Sequence, residues 1–186
     1  MTRDAVPVVA DPRLQHLLDK HEIHELVLLY CRGVDRQDPE LLRSLYTPDA
    51  TDHHGPVYQG DAEGYVRFLE DSFPVITIGA HYVTNHLVEL DLDDPDRAQG
   101  EVYALGYHHL PAHDGHHVDS LVGVRYLDHY RRHRGAWRFA SRDVVFDLDR
   151  SWTLPDSPGA AVHAPHPTDD ASYRVLTADL FRRRTS

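Results

Sequence analysis

Four segments decide the fold: IGAHYVTNHLVELDL (78–92), AQGEVYALGYHHL (98–110), VDSLVGVRYLDHY (118–130) and AWRFASRDVVFDL (136–148). Each is rich in Val, Tyr, Phe or Leu and drops the helical period for a period near two, which predicts strands with one buried face. Between them stand Asp93-Asp94-Pro95-Asp96, His113-Asp114-Gly115 and His133-Arg134-Gly135, clusters suited to hairpin turns. The reading is a four-stranded antiparallel meander. Segments this long exceed the usual ~5–6 residues of a strand, so a strongly bent, bulged sheet is expected.

Upstream the period is helical. From Asp11 to about Arg36, the residues Leu14, Leu17, Leu18, Ile23, Leu26, Val27, Tyr30 and Val34 recur at three- and four-residue steps. Asp38 caps and Pro39 fits the first turn of a second helix over Glu40–Tyr46, which ends before Thr47-Pro48. Asp49–His54 reads as a short strand before the Gly55-Pro56 turn, and Ala62–Phe73 as a third helix with Tyr65, Phe68 and Leu69 on one side. Residues 1–10 read as a loose arm, LPDSPGAAVHAPHPT (154–168) as a linker and Asp169–Arg184 as a terminal helix. The organisation expected is one domain over 1–153 and a C-terminal extension over 154–186. Helices first and strands after, with the helices on one face, make an α+β layer architecture.

A chain of 186 residues is long enough to bury a core without a metal or disulfide. The one cysteine, Cys31, has no internal partner, which suits a reducing compartment. No apolar run reaches the ~20 residues of a membrane span, and the N-terminus lacks a signal-peptide core, so the expected location is the cytoplasm, with no membrane partner. The net charge of -11 repels phosphate backbones and argues against nucleic acid. The 16 histidines invite a metal reading. Neighbours on a strand point to opposite faces, so neither His53-His54 nor His108-His109 supplies two ligands to one inward site. His113, His116 and His117 form a turn cluster suited to adventitious metal. The expectation is no metal site.

Three positions stand out. Asp35 ends an apolar helical face, where a carboxylate near the core edge needs a partner. His81 lies near the start of a strand, and simple alternation puts His81, Val83 and Asn85 on one face, suggesting a wet pocket. Arg142 lies mid-strand beside Asp143, and one of the two faces inward. For each, a structural role stands beside a functional one.

The order Tyr30-Cys31-Arg32-Gly33-Val34-Asp35, Leu42–Ala50, His81-Tyr82-Val83-Thr84-Asn85, Arg125–Tyr130 and Gly135–Phe139 resembles the SnoaL-like branch of the nuclear transport factor 2 superfamily over roughly residues 11–150. The resemblance implies a cone: a curved mixed sheet, or α+β barrel, with the N-terminal helices closing an internal pocket. It is similar to scytalone dehydratase, hexachlorocyclohexane dehydrochlorinase and bile acid 7α-dehydratase, which pair an Asp at the end of the first helix with a His on the first long strand. By that likeness Asp35 and His81 are the catalytic pair, with Tyr30 and Arg142 assisting. The dehydrochlorinase carries a Lys where this chain has Tyr30, which favours dehydration over dehydrochlorination. Asp52, Tyr126 and Phe146 fall on the cavity wall, and Asn85 joins them as a substrate contact. The implied activity is cofactor-independent acid/base chemistry on a small, largely apolar substrate of polyketide, steroid or aromatic type, a dehydratase-type lyase. A polyketide cyclase or isomerase, or a non-catalytic binding module, are the alternatives. Relatives imply a homo-oligomer, dimer or trimer.

Overall fold

The computed structural model describes residues 11–76, 78–111, 116–154 and 169–176. The expected arm, the His113–Gly115 turn, the linker after Leu154 and the end of the terminal helix lie outside the described residues. The elements are α1 (Pro12–Asp35), α2 (Pro39–Ser44), β1 (Tyr46–His54), β2 (Tyr58–Asp61), α3 (Ala62–Ser72), a 3-10 turn (Phe73–Val75), β3 (Ile78–Leu90), β4 (Arg97–Pro111), β5 (His117–His133), β6 (Ala136–Leu154) and a short α4 (Ser172–Val175). No helix among the described residues is long and apolar enough to cross a membrane.

The six strands form one unclosed, curved mixed sheet in the order β2-β1-β6-β5-β4-β3. The meander β3–β6 is antiparallel, as its turns require, but β1 joins β6 in parallel. The sequence reading missed β2 and started β1 too late. Tyr46, expected to be helical, is instead a strand residue paired with Phe139. Ser44 ends α2 because Pro48 and the pull of β6 favour extended backbone over another helical turn. β6 runs six residues beyond its expected end at Leu148, sustained by pairs with β5 up to His117–Leu154.

Helices α1, α2 and α3 cover the inner face of the sheet. The core joins Ile23, Val27 and Tyr30 of α1, Leu41 and Leu42 of α2, and Tyr65 and Val66 of α3 to Val102, Ala104, Val124, Tyr126 and Phe139 on the strands. Each buried aliphatic side chain contributes about 1.5–3 kcal/mol relative to exposure. The first turns of α1 run past the sheet and leave Leu14, Leu17 and Leu18 exposed.

The corner after α1 fixes the site. Gln37 adopts a left-handed φ of 54°, and its side-chain amide donates to the carbonyls of Phe73 and Ile76, both at 3.1 Å. This ties the end of α1 to the segment that leads into β3. Gly33 allows α2 to close in, since a Cβ there would lie 2.8 Å from the Leu42 side chain.

Candidate active site

Asp35, the last residue of α1, meets His81 of β3. Its Oδ2 accepts the His81 backbone N–H at 2.9 Å, and its Oδ1 accepts from ring Nδ1 at 2.6 Å. An ionised carboxylate only accepts, so Nδ1 carries the ring hydrogen and Nε2 presents a lone pair. The side chains are 12% and 10% exposed, sheltered but not sealed. Among the described residues, Nε2 has no hydrogen-bond partner. Gly106 lies opposite His81 on β4, and a Cβ there would stand 3.4 Å from Nε2, so glycine keeps that space free.

His108, also on β4, stands edge-on to His81 with ring centroids 5.6 Å apart. Burial, and then the nearby His81, push its pKa down to about 4, so it is neutral near neutral pH. The sequence analysis weighed this residue only as a metal ligand. It shares a face with Gly106 by alternation, but nothing in one sequence announces the β3–β4 register that brings it to His81.

Arg142 is 0% exposed and pairs with Asp128 through two hydrogen bonds of 2.7 Å. Its guanidinium lies 4.1 Å from the ring centroids of Tyr30 and Tyr126 and 4.3 Å from that of Phe139. Three aromatic faces and one carboxylate replace its water. Nη1 is buried and makes no hydrogen bond among the described residues. The arginine expected to assist catalysis is thus held by a buried carboxylate and three aromatic rings.

Tyr30 is also committed. Its hydroxyl contacts that of Tyr65 at 2.9 Å and His54 Nε2 at 3.4 Å, and burial pushes its pKa well above the ordinary range. Asp52, expected on the cavity wall, is fully buried. It accepts from the Tyr46 hydroxyl at 2.7 Å and from His54 Nδ1 at 2.5 Å.

Tyr126 is buried, edge-on to Tyr30, and its hydroxyl makes no hydrogen bond among the described residues. Burial raises its pKa, so the phenol is neutral, and its ring lies against the Arg142 guanidinium. Phe146 pairs with Val124 and shares the inner face, but 40% of it is exposed at the rim, beside the Gly55 turn.

Asn85 corrects the alternation argument. One extra residue lies in β3 between the Val83–Ala104 and His86–Val102 pairs. This bulge turns Asn85 outward, where it is exposed, and brings His86 inward in its place. His86 Nδ1 lies 3.1 Å from His24 Nδ1 of α1, and its Nε2 lies 3.3 Å from the Tyr130 hydroxyl. Among the described residues, no group of three or more His, Cys, Asp or Glu is arranged to hold a metal ion.

A model of the SnoaL-like domain matches residues 15–143. The chain belongs to the SnoaL-like domain family. Solved structures agree on the fold, which is that of nuclear transport factor 2-like proteins. A protein of Kribbella flavida is 26% identical, with a TM-score of 0.64 over 73% of this chain and 95% of its own. A hexachlorocyclohexane dehydrochlorinase of type 3 from Novosphingobium barchaimii is 21% identical, with a TM-score of 0.65 over 80% and 99%. A scytalone dehydratase-like protein from Novosphingobium aromaticivorans is 19% identical, with a TM-score of 0.65 over 83% and 98%. No curated protein sequence matches the chain. Membership in the SnoaL-like family thus rests on the sequence of the domain and on the cone fold together.

Proposed function

We propose that this SnoaL-like protein is a cofactor-independent acid/base enzyme, a dehydratase-type lyase acting on a small, largely apolar substrate of polyketide, steroid or aromatic type. One observation carries the reading: the Asp35 carboxylate grips both the backbone and the Nδ1 of His81 and leaves Nε2 open beside Gly106. His81 Nε2 takes a proton from carbon next to an activating carbonyl. Asp35 stabilises the imidazolium that forms. The C–O bond to the neighbouring carbon breaks as the C=C bond forms, and the imidazolium gives its proton to the departing hydroxyl, which leaves as water and restores neutral His81. Tyr126, expected as a substrate contact, is a neutral phenol because burial raises its pKa, and we assign it as a donor to the substrate. Arg142 contributes its charge through the Tyr126 and Tyr30 rings rather than by contact. The likeness to dehydratase and dehydrochlorinase folds supports elimination over ring closure or isomerisation.

The experiment is a panel of β-hydroxy ketones on polyketide, steroid and aryl skeletons, with products weighed by mass spectrometry. Elimination lowers the mass by one water, whereas cyclisation or isomerisation without elimination leaves it unchanged. Asp35→Asn and His81→Ala abolish the mass loss while circular dichroism stays native. Undiminished turnover in both variants overturns the proposal. The outer sheet face carries exposed Tyr82, Leu87, Tyr103 and Leu105 and supports a homo-oligomer, which sedimentation equilibrium tests.

A further inference from the structure

We propose that Asp52 and His54 form a proton-directing pair that decides whether Tyr30 can donate its phenolic hydrogen. The argument is hydrogen-bond accounting. Tyr46 donates to one oxygen of the buried Asp52, and an ionised carboxylate only accepts, so His54 Nδ1, 2.5 Å from the other oxygen, carries a hydrogen. With His54 neutral, Nε2 is an acceptor. Two hydroxyls reach that lone pair, Tyr65 at 3.0 Å and Tyr30 at 3.4 Å, and the nearer one, Tyr65, donates to it. Tyr65 has one hydrogen, so toward Tyr30 it only accepts, and the Tyr30 hydroxyl at 2.9 Å must donate. In this state the hydrogen of Tyr30 is committed to Tyr65.

Adding one proton to His54 reverses the chain. Nε2–H now donates to the Tyr65 oxygen, Tyr65 donates to the Tyr30 oxygen, and the Tyr30 hydrogen is released to another acceptor. No bond between heavy atoms changes, and both phenols end neutral. Solvent can supply the proton, because the His54 side chain is 15% exposed although Asp52 is sealed. The His54 ring stacks on Tyr65 at 4.3 Å and 16°, which holds the two in register.

The groups facing the pair are Tyr46 from its own strand, Tyr58 from β2, Tyr65 from α3, Tyr30 from α1 and, over the Tyr30 ring, Arg142 from β6. His54 is thus a positioning residue acting through Tyr65 and Tyr30. The consequence for catalysis rests on the acid/base reading above, but the reversal itself does not.

The test is nuclear magnetic resonance on the full chain with carbon-13 at tyrosine Cζ and nitrogen-15 in histidine, titrated between about pH 4 and 9. The expected result is a step in the Tyr30 and Tyr65 signals at the same midpoint as His54. The step vanishes in His54→Gln and persists in Asp35→Asn, which separates this device from the dyad. A Tyr30 signal that stays flat while His54 titrates overturns the proposal. So does a His54 that keeps one protonation state throughout, or a Tyr30 step that survives in His54→Gln. The wild-type titration decides the matter even where a variant fails to fold.

Discussion

Asp35–His81 and Asp52–His54 are nearly the same object. In each, a carboxylate holds the Nδ1 hydrogen of an imidazole at 2.5–2.6 Å. The first joins α1 to β3 across 46 residues, whereas the second spans two residues of β1. They differ at the far nitrogen. His81 Nε2 faces the space left by Gly106, and His54 Nε2 is capped by two phenols. A third pair, Asp119–His109 at 2.6 Å, buries its far nitrogen with no hydrogen bond among the described residues. An acid holding an imidazole is therefore a common way to satisfy both groups. What lies beyond the ring decides whether that ring can take a proton from a ligand.

The largest expected effect breaks the symmetry outright. His81→Ala lowers turnover by about 10²–10⁴-fold, the usual worth of a general base, whereas His54→Ala lowers it less than tenfold and alters its pH profile. Steady-state rates on a substrate found by the mass-loss panel check this. Equal losses would show that the far nitrogen does not distinguish the pairs.

Asp128→Asn comes next. It strips the buried Arg142 of its charge partner and costs about 3–5 kcal/mol of stability in urea unfolding. A smaller loss would mean the aromatic cage alone carries the cation, leaving the arginine freer than its packing suggests.

Imidazoles with no carboxylate hydrogen bond among the described residues sharpen the contrast. Burial first, and then a neighbouring histidine, hold His108 and His86 at about 4. Both are depressed below their ordinary value near 6.5, so the unfolded chain binds more protons between those limits. Their contribution to stability is complete above about pH 6.5 and is lost as pH falls toward 4. For His108 it is at most about 3 kcal/mol, and for the more exposed His86 less. Thermal melts of His108→Gln against wild type across that window check the sign.

The smallest effect is a conversion. Gly106→Ala sets a methyl 3.4 Å from Nε2 and makes the open pair resemble the capped one. A loss of about tenfold in kcat/KM is expected, equivalent to about 1.4 kcal/mol in the transition state, with a lowered melting temperature because the same methyl stands 3.1 Å from the Val122 side chain.

The fold was legible because its signals are local. Val- and Tyr-rich runs, the turn residues between them and the 3.6-residue period of α1 all lie within short windows. A helix end and a strand start singled out Asp35 and His81 one by one, but that they meet was expected only from the likeness to the SnoaL-like family. The fates of Tyr30, Arg142 and Asp52 were not legible, since each depends on a partner that local spacing does not announce: Tyr65 where α3 packs on α1, Asp128 across the β5–β6 register, and Tyr46 six residues earlier on the same strand. Asn85 failed for the same reason, as one unannounced residue broke the alternation. His54 was weighed only as a metal ligand. Its spacing of two from Asp52 on a strand, which puts both on one face, was the available signal.

The extra residue in β3 stands outside the two-residue count of the strand. Deleting one of Thr84 or Asn85 would remove the bulge and leave a regular ladder, with Val83, His86, Val88 and Leu90 still facing the helices and Leu87 and Glu89 still outward. Homologues that lack this insertion should therefore carry the same polarity pattern downstream, and an alignment that places the gap elsewhere in the strand would mispair the residues between.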